Sequence, residues 1–186
     1  PVIVSLHRCL ELVKAHSAKG IILDCQDENA RREALVFLKG ERPAVYLRKE
    51  VTNRDIELAK EFQTSLVLKA ADLANLADQA ERASTAGLKD VILHLDSHNL
   101  GTELQANTIL RRMALQKNFK PFGYPLLSFL NAQDEFNLMA GASALLCKYA
   151  SIIVLPRYDR ALLYALFTLR QNIYTDPQKP IQVEPM

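Results

Sequence analysis

The sequence contains no tryptophan and only three cysteines, Cys9, Cys25 and Cys147, among its 186 residues. So sparse and odd a set of thiols does not suggest the disulfide framework of a secreted protein, and the spacings are too long for a Cys-x-x-Cys metal motif. We therefore expect a reducing, cytoplasmic compartment, with the three thiols buried as small hydrophobic residues. Four clustered thiolates are missing, so we expect no iron–sulfur cluster within this segment.

Neither sign of charge dominates, and long apolar runs are missing. The 23 Lys and Arg residues nearly balance 21 Asp and Glu residues, with the signs interspersed, so no basic stripe predicts nucleic-acid binding. The apolar runs are shorter than the roughly 20 residues that span a bilayer, and no signal peptide is visible. We expect neither a nucleic-acid nor a membrane partner. Because the first residue is Pro1, we also expect an excerpt of a longer protein.

Short apolar runs alternate with helical patterns along the whole chain. Runs of this kind are typical of parallel strands that are buried on both faces, and their spacing of roughly 20 to 30 residues fits βα units. No glycine-rich phosphate loop follows the first run, which favours a barrel over an open nucleotide-binding sheet. The seven predicted strands are Val2–Leu6, Ile21–Asp24, Ala44–Arg48, Ser65–Lys69, Val91–Leu95, Leu126–Leu130 and Ile152–Leu155.

The predicted fold is therefore α/β, a TIM-type (β/α) barrel with seven clear units over residues 1–172. Residues 173–186 are predicted to be a proline-containing exit linker. A complete barrel needs an eighth strand, which is either Ile181–Glu184 or a segment that precedes Pro1. We favour the second alternative and expect a partial or excerpted barrel.

Polar residues follow the predicted strands, where a parallel barrel carries its functional groups. The candidates are Asp24, Cys25, Gln26, Asp27, Arg48, Lys49, Lys69, His94, Asp96, Ser97, His98, Asn99, Gly101, Ser128, Asn131, Pro156 and Arg157. The densest segment, 94–99, has three interpretations. It is a turn that caps the next helix, a contact for a small molecule or a partner, or a metal site, and we favour the turn.

Asp24 and Asp96 both end predicted strands and could hydrogen-bond a heterocycle such as a pterin. The alternative, which we favour, is that each carboxylate stabilises a helix N-terminus. The candidate cofactor-binding residues at the barrel mouth are Asp24, Asp96, His98 and Asn99. We predict no catalytic residue and no metal ligand in this chain.

Two predicted helices contain uncharged stretches, at residues 136–147 and 161–169. An outer barrel helix normally presents a polar face to water, so we expect these helices to be covered on a second side. The cover is another part of the same chain, a partner protein or a sister domain. The candidate interface residues are Met139, Ala142, Leu146, Leu163 and Phe167.

The most distinctive sequence segment is residues 172–184. Within it, the candidate linker motif consists of Tyr174, Thr175, Asp176 and Pro177. This stretch resembles the exit of the central barrel in the large (gamma) subunit of the corrinoid iron–sulfur protein of acetyl-CoA decarbonylase/synthase. Two other segments resemble earlier parts of the same barrel. Residues 86–93, followed by Asp96, resemble its passage from a helix to a strand, and residues 42–46 resemble an earlier strand.

The resemblance implies a part in one-carbon metabolism. Such proteins carry a methyl group on a corrinoid cobalt from methyltetrahydrofolate, or a related methyl-pterin, to acetyl-CoA synthase in the reductive acetyl-CoA pathway. The resemblance covers only the barrel, so the corrinoid (cobalamin) and the [4Fe-4S] cluster are expected in other parts of the parent. The implied partners are the small subunit, the methyl-pterin methyltransferase and acetyl-CoA synthase.

Two enzyme alternatives remain open. One is a pterin-binding methyltransferase barrel that holds the pterin ring with Asp24, Asp96 and Asn99. The other is a metabolic barrel enzyme of unassigned reaction.

Overall fold

The computed structural model describes residues 2–97, 99–132 and 134–174, and for Val2–Ser5 and Tyr174 it describes the backbone alone. The chain divides into two compact units. The first runs to Asp96 and includes Phe119–Tyr124, and the second comprises Ser97–Asn118 and the described residues from Pro125 onward.

The first unit is a four-stranded parallel sheet with helices. Its strand order is the chain order, β1-β2-β3-β4. Leucines and valines of the strands are almost fully buried, and α3 and α4 contact β3. The elements are α1 (Val2–His16), β1 (Ile22–Asp24), α2 (Glu28–Phe37), β2 (Ala44–Tyr46), α3 (Asn53–Phe62), β3 (Ser65–Ala70), α4 (Leu73–Thr85), β4 (Val91–Leu95) and a 3₁₀ turn (Lys120–Phe122).

The second unit contains a two-stranded parallel sheet and three helices. Its elements are α5 (Leu100–Gln116), β5 (Leu127–Phe129), α6 (Glu135–Cys147), β6 (Ile152–Val154) and α7 (Arg160–Tyr174). Leucines of α6 and α7 pack together in one buried cluster, which consists of Leu130, Leu138, Ala142, Leu145, Ala150, Leu162 and Leu166. Among the described helices, none combines the length and apolarity needed to cross a bilayer.

An α/β fold with parallel strands is confirmed, and strands form at six of the seven predicted positions. The prediction of a strand at Val2–Leu6 is wrong, because these residues open α1. A five-residue apolar run does not distinguish a strand from a helix, and Cys9, Leu10 and Val13 continue it at helical spacing. The seven βα units are thus reduced to six among the described residues.

The C-terminal predictions lie mostly beyond these residues. Helix α7 includes Ile173 and Tyr174, while Thr175, Asp176 and Pro177 of the linker motif and the possible strand Ile181–Glu184 lie outside the described residues.

Short polar side chains begin several of the helices. Asp27 and Asp134 are N-caps of α2 and α6, and the Asp159 carboxylate accepts a hydrogen bond from the Leu162 amide at 3.0 Å. Helix α5 begins at Leu100 and has Asn99 as its N-cap. The side-chain oxygen of Asn99 accepts a hydrogen bond from the Thr102 backbone N–H at 2.9 Å and thereby stabilises the start of the helix.

Candidate functional site

The register of the first sheet collects polar residues on one face near the carboxyl ends of its strands. Asp24 pairs in register with Tyr46, and Lys69 pairs with His94. In-register partners of a parallel sheet, and residues two apart on one strand, share a face. We call the resulting set the edge cluster; it consists of Asp24, Tyr46, Arg48, Lys69, His94 and Asp96.

The opposite face of this sheet is apolar and packs under helices. Leu23, Val45, Leu68 and Leu93 alternate with the residues of the edge cluster and are buried. Helix α4 contacts both β3 and β4. The two faces of the sheet therefore differ: the apolar one stabilises the fold, and the other carries charged side chains near the carboxyl ends of the strands beside the buried Val67 and Ile92.

Asp24 is held by two neighbours. The Nε and Nη2 atoms of Arg48 donate to Asp24 Oδ2 at 3.2 and 2.8 Å, and the Gln26 side-chain amide donates to Oδ1 at 2.7 Å. Gln26 also accepts the Arg48 backbone N–H at 3.1 Å. The hydrogen bond to Asp24 raises the pKa of the Arg48 guanidinium above its usual value. Asp24 thus lies in an ion pair at the end of β1.

Asp96 is paired in the same way with the neighbouring strand. Lys69 Nζ lies 2.8 Å from Asp96 Oδ2, and the Asp96 backbone N–H donates to the Ala70 carbonyl at 2.8 Å. The hydrogen bond to Asp96 raises the pKa of Lys69, against the opposing effect of burial. Lys69 is therefore charged at neutral pH, which suits electrostatic binding and not nucleophilic chemistry.

Tyr46 and His94 form an aromatic pair beneath these charges. They are 7% and 5% exposed, their ring centroids are 5.8 Å apart, and the ring planes meet at 67°. Burial raises the pKa of the Tyr46 phenol, and the charge of Lys69 opposes that rise. The phenol is therefore neutral at physiological pH.

Sequence reasoning found most of the edge cluster but not Tyr46 as a site residue. Tyr46 lies inside an apolar run and looks like a core residue there. The signal that could have found it is its alternation with Arg48, two residues further along the chain. The structure also brings Asp24 and Asp96 to the same face of the sheet, although they lie at its two opposite edge strands, β1 and β4.

The other mouth candidates are Asn99 and His98. Asn99 belongs to the second unit and caps α5, as the turn interpretation expects of it, whereas Asp96 is paired with Lys69 and is not the N-cap of that helix. Ser97 Oγ donates to the buried Glu103 carboxylate at 3.2 Å. His98 lies outside the described residues. Whether any of them contacts a ligand stays a prediction.

The prediction of three buried cysteines is only partly right. Cys25 is buried, whereas Cys9 on α1 and Cys147 at the end of α6 are exposed. The helical spacing predicts that Cys9 faces inward, but the buried stripe of its helix passes through Leu10 instead. Among the described residues, no group of three His, Cys, Asp or Glu residues is arranged to hold a metal ion.

The two helices with uncharged stretches, α6 and α7, have exposed aromatic residues. Phe136 on α6 and Tyr164 and Phe167 on α7 are 80%, 72% and 61% exposed. Ala142, a predicted interface residue, is 0% exposed and packs within the unit's own core. Ala142 is therefore not on the surface of its unit. The remaining predicted interface residues are half-buried: Met139, Leu146 and Leu163.

Comparison with known proteins identifies the family. A family model described as CO dehydrogenase/acetyl-CoA synthase delta subunit matches residues 5–186. The chain belongs to this family. Relatives that match over nearly the whole chain are named as large or gamma subunits, so the predicted resemblance is confirmed.

Two relatives illustrate the match. The chain is 31% identical over 176 residues to the corrinoid/iron-sulfur protein large subunit of Moorella thermoacetica, covering 92% of the chain and 39% of the relative. It is 31% identical over 194 residues to the acetyl-CoA decarbonylase/synthase complex subunit gamma of Archaeoglobus fulgidus, covering 96% and 41%. The chain thus spans about two fifths of the length of these relatives.

Solved structures share the fold. Dihydropteroate synthase from Thermus thermophilus, in complex with 4-aminobenzoate, matches with a TM-score of 0.64 and 19% identity, covering 90% of this chain and 78% of that one. The structure of Mycobacterium tuberculosis Rv1207 matches with a TM-score of 0.65 and 20% identity, covering 94% and 78%. At this level of identity the likeness concerns the fold alone.

Proposed function

We propose that this chain is the barrel domain of a corrinoid iron–sulfur methyl-carrier protein. The proposed domain covers residues 1–172 and the last two residues of α7, Ile173 and Tyr174, the remaining residues to 186 form the exit linker, and the proposed fold is a (β/α) barrel. The family match and the large-subunit relatives support the assignment. The likeness to dihydropteroate synthase, a TIM-barrel family, supports the barrel.

In this proposal the parent protein carries a methyl group from methyltetrahydrofolate, or a related methyl-pterin, to acetyl-CoA synthase in the cytoplasm. The domain itself is a non-catalytic scaffold. It presents the corrinoid-bearing part of the parent and docks the small subunit, while the methyl-pterin methyltransferase and acetyl-CoA synthase are partners of the whole assembly.

The observation that supports a scaffold most directly is the pairing of both mouth carboxylates within the chain. Asp24 is paired with Arg48, and Asp96 is paired with Lys69, at 2.8 Å in each case. A heterocycle that sought either carboxylate would have to displace a charged hydrogen-bond donor. The edge cluster therefore favours a self-contained polar surface over a ready pterin site.

The [4Fe-4S] cluster of the proposed parent does not fit the donor set of this chain. A [4Fe-4S] cluster takes four thiolates, and the sequence holds three cysteines. Of these, Cys25 is buried just after β1, and Cys147 belongs to the other unit. We therefore assign the cluster to another part of the parent, and the resemblance to the large subunit implies the same for the corrinoid.

The second candidate function is a pterin-binding methyltransferase barrel. The fold shared with dihydropteroate synthase favours it, and so does the position of Asp24 and Asp96 at the ends of their strands. Asn99, the third proposed pterin ligand, has its side-chain oxygen engaged in capping α5. This engagement weakens the alternative.

Isothermal titration of methyltetrahydrofolate into the 186-residue chain separates the two functions. The scaffold proposal predicts no saturable heat. Saturable binding with a stoichiometry near one would overturn it in favour of the methyltransferase. An Asp24→Asn variant is the control, because an enzyme that recognises the pterin through this carboxylate would lose binding.

A further inference from the structure

We propose that Arg48 is a specificity-determining residue, because its guanidinium occupies the Asp24 carboxylate and denies it to planar heterocycles with an amidine-like N–H edge. This inference rests on the proposed non-catalytic function and deepens it. It identifies the residue that closes a surface otherwise suited to such a ligand.

Three N–H groups of neighbouring side chains donate to the Asp24 carboxylate. Arg48 donates two N–H groups to Oδ2, and the Gln26 amide donates to Oδ1. Gln26 in turn accepts the Arg48 backbone N–H. Arg48 is therefore held through both its side chain and its backbone, and each carboxylate oxygen has a donor.

The guanidinium of Arg48 presents N–H groups to Asp24 in much the same way as a pterin would. A guanidinium presents adjacent N–H groups in one plane, and this geometry matches a carboxylate. The 2-amino-4-oxopyrimidine edge of a pterin presents adjacent N–H groups in the same plane. The ring is neutral, whereas the guanidinium is always charged, so Arg48 has the stronger charge-assisted hydrogen bonds.

Attachment to the chain gives Arg48 a second advantage. A tethered group competes at a high effective concentration, which a dissolved ligand must exceed. Tyr46, the in-register neighbour of Asp24 on the next strand, is buried and packs against His94, so the carboxylate itself is the group that such a ligand would recognise. Removing the guanidinium should free Asp24 Oδ2 for the ligand.

Arg48 is also a residue that can be changed without loss of the fold. Its side chain is 69% exposed, and the Asp24 side chain is 35% exposed. Exposed ion pairs contribute little to stability, so truncation at this position leaves the first sheet intact. The change in ligand binding can then be separated from a change in folding.

The test is a titration of 6-methylpterin into the wild-type chain, Arg48→Ala, Arg48→Gln and the double variant Arg48→Ala/Asp24→Asn. We expect no saturable binding to the wild-type chain. Both single variants should bind about threefold to fivefold more tightly than the wild-type chain, as expected for removal of an exposed ion pair, and the double variant should lose that gain. Arg42→Ala, which breaks another exposed ion pair, with Asp90, is the matched control and should gain nothing.

The outcomes distinguish this inference from the proposed function. If the wild-type chain does not bind and neither single variant gains binding while both remain folded by circular dichroism, the role of Arg48 is disproved and the scaffold stands. A gain that persists in the double variant also disproves it, because the ligand would then not be using Asp24. If the wild-type chain binds as tightly as Arg48→Ala, both this inference and the scaffold proposal fail.

Discussion

Asp55 joins separate segments of the first unit through buried polar contacts. Its Oδ1 accepts from Arg31 Nη2 at 3.2 Å, and its Oδ2 accepts the Thr52 backbone N–H at 3.0 Å. Arg31 also donates to the Cys25 carbonyl at 3.2 Å. Both charged side chains are buried. This pair therefore connects α2, the start of α3 and the segment that follows β1.

We predict that Asp55→Ala lowers the free energy of unfolding by about 3–5 kcal/mol, because it leaves Arg31 charged, buried and without its carboxylate. The matched control is Glu61→Ala, which breaks the exposed Arg32–Glu61 pair between the same two helices. That change should cost less than about 1 kcal/mol. Urea denaturation measures both, and equal costs would contradict a structural role for the buried pair.

At the residue scale, the sequence predicts most of the polar residues of the candidate site. It does not predict the ion pairs that they form. Arg48 and Lys69 are visible because each ends a predicted strand. Their ion pairs with Asp24 and Asp96 are not visible, because each pair joins different strands and depends on the register between them. Tyr46 is hidden because a buried tyrosine within an apolar run has the same pattern as a core residue.

At the scale of elements, α6 shows how one carboxylate starts a helix. Asp134 accepts the Asn137 backbone N–H at 2.8 Å through Oδ1 and the Asn137 side-chain amide at 2.7 Å through Oδ2. The backbone hydrogen bond lowers the pKa of Asp134 below its usual value of 3.8. A lowered pKa in the folded state means that the ionised carboxylate stabilises the native protein.

We predict that this stabilisation is present above about pH 4 and is lost as the pH falls through the lowered pKa of Asp134. Asp134→Asn keeps a capping oxygen but does not titrate. The difference in unfolding free energy between the wild-type chain and Asp134→Asn should therefore shrink between about pH 5 and pH 2 in urea denaturation. A difference that stays constant over this range would contradict the proposed role of the ionised cap.

The prediction of a strand at Val2–Leu6 is wrong because of the length and context of this apolar run. Length and context, not composition, decide whether a short apolar run becomes a strand or a helix. The runs at Ser65–Lys69 and Val91–Leu95 are each followed by a clear helix start and form the longest paired strands. The first run instead continues without a turn signal into α1.

The exposed aromatic residues of α7 refine the predicted interface. Leu162 and Leu166 point into the second unit, while Tyr164 and Phe167 are exposed. Aromatic residues are common among the residues that dominate binding energy at interfaces. We therefore propose that a partner surface would contact α7 through Phe167 and Tyr164. Ala142 lies in the core, so a substitution there would affect folding and not the interface.

We predict that Phe167→Lys leaves the unfolding free energy within about 0.5 kcal/mol of wild type and weakens association with the small subunit. Ala142→Lys, the contrasting variant, should unfold the second unit, because it places an unpaired charge in the core. Urea denaturation and sedimentation velocity measure the two effects. A Phe167→Lys chain that associates as tightly as the wild-type chain would remove this surface from the interface.

At the scale of the whole molecule, the proposed function divides the work of methyl transfer among parts. The chain spans about two fifths of its large and gamma subunit relatives, and its three cysteines are too few for a [4Fe-4S] cluster. The polar edge of its first sheet is closed by internal ion pairs. On these features rests the proposal that the domain positions other parts of the parent protein.

Sedimentation velocity of the 186-residue chain mixed with the small subunit of the corrinoid iron–sulfur protein tests this account most directly. The account predicts one faster-sedimenting species with one copy of each chain. Two independent species at every ratio, with both chains folded, would contradict the docking scaffold on which the proposed function rests.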